Sequence, residues 1–60
     1  MQLPTDDFIL LSFVNTKLRD DFSSLSDFCE FFGVQEEELR ARLAALGYKY
    51  DGENNAFIRS

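Results

Sequence analysis

The sequence predicts a mainly α-helical domain with a small C-terminal β-hairpin. Three stretches carry apolar residues at the three- and four-residue spacing of amphipathic helices. The last stretch instead alternates tyrosines with a lysine and then runs into turn-forming residues. Because 60 residues are enough for only one core, we expect a single domain over residues 1–60, made of three helices and the hairpin.

The first helix is expected over residues 6–22. Pro4 and Thr5 precede Asp6 and Asp7. The side-chain oxygen of Thr or Asp can accept hydrogen bonds from the free amide groups at a helix start, and acidic residues favour the positive end of the helix. At about 100° per residue, one broad apolar stripe would face the core. It consists of Leu10, Leu11, Val14, Leu18 and Phe22.

Two apolar residues of this helix, Ile9 and Phe13, lie one turn apart on a flank of that stripe. Either the hairpin folds over these side chains, or a partner protein or a second copy of the chain covers them. We favour the second copy, because so short a chain buries only a limited part of its own surface. The leading hypothesis is a noncatalytic interaction module that forms a homodimer with Ile9 and Phe13 in the shared surface.

Two shorter helices are expected over residues 25–32 and 36–46. Ser23 and Ser24 offer a cap for the second helix, and Gly33 ends it. The third helix opens with acids at 36–38, which favour the positive helix end, and Gly47 ends it. The predicted buried positions are Leu25, Phe28, Cys29 and Phe32 in the second helix and Leu39, Leu43 and Leu46 in the third.

The hairpin is expected over residues 48–58, with two competing registers. A two-residue turn at Asp51 and Gly52 would set Tyr50 against Glu53. A four-residue loop over residues 51–54 would set Tyr48 against Phe57. We prefer the four-residue loop, because facing aromatic side chains stabilise a strand pair.

Composition and charge exclude several functional classes. The chain has 11 acidic and 6 basic residues, so its net charge of −5 disfavours non-specific binding to nucleic acid and to anionic membranes. With no histidine and one cysteine, it offers neither a catalytic dyad nor a zinc site, and Cys29 suits the core better than a nucleophilic role. No apolar run is long enough for a membrane span. We expect a protein of the cytoplasm that is not an enzyme and has no cofactor.

A polar strip runs beside the apolar stripe of the first helix. Ser12, Asn15 and Arg19 lie within about 60° of one another around the helix axis. The favoured interpretation is that Asn15 and Arg19 bond backbone carbonyls or acids within the fold, since buried polar groups need partners. The alternative is that the strip contacts a small ligand or a partner.

Three stretches resemble a known family. LLSFVNTKLRD, then LGYKYD, then NNAF look like a family of very short bacterial proteins described only as a domain of unknown function. The resemblance begins at Leu3 and Pro4 and covers nearly the whole chain. It implies a stand-alone cytosolic bacterial protein and assigns no activity, cofactor or site residue.

The segment over residues 24–58 also resembles a winged helix-turn-helix. In that superfamily a small residue of one helix is followed four positions later by the turn glycine and then, six further on, by a buried aliphatic residue; Cys29, Gly33 and Leu39 match. The resemblance implies the alternative function, a small DNA-binding regulator. Its DNA contacts would be Arg40, Arg42 and Lys49, although three glutamates would then face the phosphates.

Overall fold

The computed structural model describes residues 3–60. Within that range the chain forms three α-helices and then a two-stranded antiparallel hairpin, which confirms the predicted fold class. The elements are α1 (Asp7–Asp20), α2 (Leu25–Phe32), α3 (Glu36–Ala44), β1 (Tyr48–Asp51) and β2 (Ala56–Arg59). Both α1 and α3 end two residues before their predicted limits, whereas α2 has its predicted bounds.

The helix ends follow the capping residues of the sequence. The carboxylate of Asp6 accepts hydrogen bonds from the backbone N–H groups of Phe8 and Ile9 at 2.9 and 3.1 Å. Ser24 caps α2 through the N–H of Asp27, and Gly33 ends that helix with φ 68°, a left-handed conformation that glycine adopts without strain. These caps set where the helices begin and end.

One apolar core joins all the elements. Its buried residues are Leu10, Val14, Leu18, Leu25, Phe28, Cys29, Leu39, Leu43 and Phe57. The prediction that Cys29 belongs to the core is confirmed. Four residues predicted to be buried, namely Leu11, Phe22, Phe32 and Leu46, are only half-buried at the rim of this cluster, because a core of nine buried residues is too small to enclose three complete helix stripes.

The preferred hairpin register is wrong by one residue on each strand. Tyr50, not Tyr48, faces Phe57, and the four-residue loop runs over residues 52–55. The physical reason is Asn55, which adopts φ 51°, a turn conformation that asparagine tolerates better than most residues. The carboxylate of Asp51 accepts the N–H of Glu53 at 3.0 Å and so closes the loop from the other side.

Asn55 and Tyr50 also connect this loop to the helices. The side-chain amide of Asn55 donates to the carbonyl of Leu18 in the last turn of α1 at 3.0 Å and to the carbonyl of Phe22, just after the helix, at 2.9 Å. The hydroxyl of Tyr50 donates to Oδ1 of Asn55 at 2.7 Å and accepts the backbone N–H of Leu25, the first residue of α2, at 3.2 Å. The register is therefore set by contacts with the helices and not by the strand pair alone.

Candidate functional site

An apolar patch lies on the outward face of α1. The side chains of Phe8 and Ile9 are 66% and 60% exposed. Phe13 lies beside them, half-buried, with its ring edge-on to Phe28 and Phe32 of α2 at centroid distances of 6.2 and 5.7 Å. We call Phe8, Ile9 and Phe13 the α1 patch.

The structure therefore separates the two residues predicted for self-association. Helix α2, and not the hairpin, covers one side of Phe13. Phe13 therefore packs between the core and the exposed part of the patch. Ile9 stays open to solvent. Ser12 and Thr16 follow Ile9 on the same exposed side of the helix. Because their side chains are small, the surface next to the patch forms a shallow depression.

The polar strip does not act as one unit. Asn15 is bound within the fold: its amide donates to the carbonyl of Phe57 at 3.1 Å and its Oδ1 accepts the N–H of the same residue at 2.7 Å. The side chain of Asn15 thus takes the place of a neighbouring strand on the free edge of β2. This contact agrees with the favoured interpretation of the strip.

The other two members of the strip remain at the surface. Ser12 is exposed, and the side chain of Arg19 is 75% exposed while it donates two hydrogen bonds to Asp20 at 2.9 and 3.0 Å. The hydrogen bonds raise the pKa of Arg19 and lower the pKa of Asp20. A contact this exposed carries little stability of its own.

Ser12, Asn15 and Arg19 line a wide groove between α1 and the hairpin. Its volume is about 540 Å³, and its other walls come from Phe8, Leu11, Thr16, Tyr48, Asn54, Asn55 and Ala56. The groove presents hydroxyls and amides, and among residues 3–60 Arg19 is its one charged wall residue. It therefore offers hydrogen-bond donors and acceptors to a ligand.

The residues predicted to contact DNA are mostly engaged elsewhere. Arg42 donates to Asp7 of α1 at 2.7 and 2.9 Å and to the carbonyl of Thr5 at 3.1 Å, so it ties the N-terminal segment to α3. Arg40 lies 3.7 Å from Glu36 and 5.4 Å above the ring of Tyr50. Lys49 is exposed on β1. Of these three cations, Arg42 is bound into the fold, whereas Arg40 and Lys49 remain exposed.

A family model settles the family of the chain. The model, described as a domain of unknown function (DUF4250), matches residues 4–57. The chain belongs to the DUF4250 family. This confirms the predicted resemblance to a short domain of unknown function. No curated protein and no solved structure matches the chain significantly.

Cys29 is the one thiol among the described residues of this DUF4250 domain. Cys29 is buried, and burial raises the pKa of its thiol; nearby Glu36 raises it further, whereas Arg40 lowers it. Such a thiol is a weak nucleophile at neutral pH. Residues 3–60 contain no group of three or more side chains placed to hold a metal ion. Over the same residues, each helix is too short or too polar to cross a bilayer.

Sequence patterns did not predict the structural roles of four residues of this DUF4250 domain. They are Phe8 and Phe31, which are exposed aromatics, and Tyr50 and Asn55, which join the hairpin to the helices. For Phe31 a signal did exist, because it falls outside the predicted apolar stripe of α2. For Tyr50 and Asn55 none did, since their partners among the helix residues lie 25 to 37 residues away along the chain.

Proposed function

We propose that this DUF4250 domain is a noncatalytic protein-interaction module that forms a homodimer through the outward face of α1. The observation that carries the proposal is the pair Phe8 and Ile9, two adjacent large apolar side chains that are both mostly exposed. Such pairs are a common mark of protein–protein contact surfaces when they form part of a patch. A single free thiol fits a reducing compartment such as the cytoplasm.

The shape and charge of α1 suit a second copy in antiparallel orientation. A two-fold axis between residues 12 and 13 would lay Ile9 of one copy over Thr16 of the other and Phe13 over Ser12, with Phe8 at the edge, and would repeat each contact once. Ile9 and Thr16 are separated by about 10 Å along the helix, so the two contacts fit on one 14-residue helix. The same orientation brings the Asp6 end of one helix to the exposed Arg19 of the other.

The size of the face sets the strength of the dimer. A standard interface buries about 800 Å² per partner, which is about a fifth of the 4103 Å² surface of this chain. One helix face with two large apolar side chains supplies less than that. We therefore expect a weak dimer, with a dissociation constant of about 10 μM to 1 mM.

Sedimentation velocity over protein concentrations of 10 μM to 1 mM tests the proposal. The wild-type mass should rise toward that of a dimer across this range. Ile9→Asp should remain a monomer, because it places a charge at the centre of the contact. The matched control is Ile58→Asp, which changes another exposed isoleucine, on β2, and should dimerise like the wild type.

Two outcomes would contradict the proposal. One is a wild-type protein that stays monomeric at 1 mM. The other is a dimer that survives Ile9→Asp but is lost in Ile58→Asp, which would move the contact from α1 to the hairpin. Circular dichroism of each variant checks that its helices are intact, since both substituted side chains are exposed and neither belongs to the buried core.

A further inference from the structure

A second aromatic surface lies on α2, away from the α1 patch. Phe31 is 67% exposed, the highest value among the large apolar side chains of the described chain. Its ring is held by two neighbours, Phe22 at 5.4 Å and Phe32 at 5.1 Å between centroids. The ring is therefore open to solvent and also in contact with two aromatic neighbours, and contacts that restrict its rotamers lower the entropy lost when a ligand stacks on it.

The charges around this ring are negative. An open depression of about 530 Å³ beside Phe31 is lined by Asp21, Phe22, Ser23, Asp27 and Glu30. Helix α2 has the sequence LSDFCEFF and carries no basic residue. Lys17 neutralises Asp21 through an ion pair at 3.1 Å, but Asp27 accepts only the hydroxyl of Ser23, and Glu30 makes no ion pair within residues 3–60.

The spacing of the two remaining acids is unfavourable without a partner. Asp27 and Glu30 are three residues apart on α2, a spacing that places like charges side by side and destabilises a helix. A cation bound between them would relieve that repulsion. Asp27 also lies one turn before Phe31 on the same side of the helix, so the same cation would meet the ring.

We propose that the surface formed by Phe31, Asp27 and Glu30 binds an arginine side chain of a basic segment in a partner protein. The planar guanidinium stacks on the exposed ring, whose face is electronegative, while its N–H groups donate to the two carboxylates. The overall charge of −5 favours the approach of a basic segment. This proposal is independent of dimerisation through α1.

The partner is a different protein and not a second copy, because this chain has few free arginines. Arg40 and Arg42 each contact a carboxylate of their own chain, exposed Arg19 contacts Asp20, and Arg59, exposed on β2, is the one arginine without an ion pair within residues 3–60. The chain also lacks a run of basic residues, since its six cations are scattered from residue 17 to residue 59. A basic segment of another protein is the complementary occupant.

The test is an NMR titration of the ¹⁵N-labelled protein with two capped peptides of equal charge, tetra-arginine and tetra-lysine. Shift changes should be centred on residues 27–31, and the arginine peptide should bind about two- to fivefold more tightly, since guanidinium stacks better on an aromatic ring. Phe31→Leu and Glu30→Gln should each weaken arginine binding by about two- to fivefold.

Two variants serve as matched controls. Glu37→Gln removes the same charge from exposed Glu37 in the first turn of α3, and Ile58→Ala removes an exposed apolar side chain from β2, outside both proposed surfaces. Both should bind the arginine peptide within about 1.5-fold of the wild type, an allowance well below the effect of one ion pair or ring. Because the substituted side chains are exposed, the fold of each variant should persist, and circular dichroism verifies this.

Several results would overturn the proposal. Equal loss in Glu37→Gln and Glu30→Gln would show that only net charge attracts the peptide. Equal affinity for the two peptides, or no effect of Phe31→Leu, would remove the ring from the contact. Shifts at residues 27–31 that appear when the protein alone is concentrated would assign the surface to a second copy.

Discussion

Replacing Asn15 by alanine should destabilise the fold more than any other change of a polar residue on α1. The substitution removes two hydrogen bonds, at 3.1 and 2.7 Å, and leaves the N–H and carbonyl of Phe57 without partners. Phe57 is only 3% exposed, so water replaces these bonds poorly. Each orphaned group costs about 1–3 kcal/mol, and we expect a total loss of about 2–4 kcal/mol. A chain of this size has only about 3–9 kcal/mol of stability in all.

Urea unfolding followed by circular dichroism gives the free energy of unfolding, and hydrogen exchange at the Phe57 amide reports the contact itself. In Asn15→Ala the Phe57 amide should exchange much faster than in the wild type, while amides inside α3 should follow only the global loss of stability. Thr16→Ala is the matched control, because Thr16 is exposed on the same helix and should change stability by less than about 0.5 kcal/mol.

Asn15→Asp refines the test through pH. Its carboxylate can accept the Phe57 N–H but repels the Phe57 carbonyl, whereas the protonated acid can donate to that carbonyl and restore both bonds. The introduced group should therefore have a raised pKa in the folded state, and its stability relative to Asn15→Ala should improve as the pH falls below that pKa. Asn15→Ala within 0.5 kcal/mol of the wild type, with the Phe57 amide still protected, would refute this reasoning.

Two further predictions concern the core and its polar contacts. Tyr50→Phe removes the hydroxyl that joins Leu25 to Asn55. In a calorimetric scan the free energy of unfolding should fall by about 1–2 kcal/mol and the melting temperature by about 4–15 °C. The control is Tyr48→Phe, whose hydroxyl has no partner within residues 3–60 and which should leave both quantities unchanged. Burial raises the pKa of Cys29, so its contribution to stability is present below the ordinary thiol pKa of about 8.5 and is lost as the pH rises toward the raised value. Between pH 7 and 10, urea unfolding should therefore show a larger loss for the wild type than for Cys29→Ala, and equal losses would show that the thiol titrates alike in both states.

The helices were predictable because each is encoded by nearby residues. Leu10, Val14 and Leu18 repeat with the period of a helix, and Asp6 and Gly33 act on backbone groups within their own turn. The period alone did not show how much of each stripe the small core encloses. Phe22 belongs to the predicted stripe of the first helix, yet it lies two residues beyond the end of α1, at the rim of the core and in contact with Phe31.

The hairpin register and much of the candidate site were not predictable from local patterns. Cross-strand aromatic preference favours a pairing with Phe57 but does not choose between Tyr48 and Tyr50, which have the same side-chain chemistry. The choice depends on Asn55, whose partners on α1 come from a distant part of the sequence. Exposure of Phe8 and Phe31 likewise depends on which neighbours the final packing leaves beside them.

The junction of Asn55 and Tyr50 has a consequence for how the chain acquires its structure during synthesis. The ribosome makes the three helices before the hairpin, so the carbonyls at the end of α1 and the first amide of α2 must wait for residues 50–55 to emerge. A nascent chain that stops before the hairpin would hold frayed helices around an open core, because Phe57 is also missing from it. We therefore expect the domain to fold in one late step, after the hairpin has left the ribosome, and to remain a target for proteases until then.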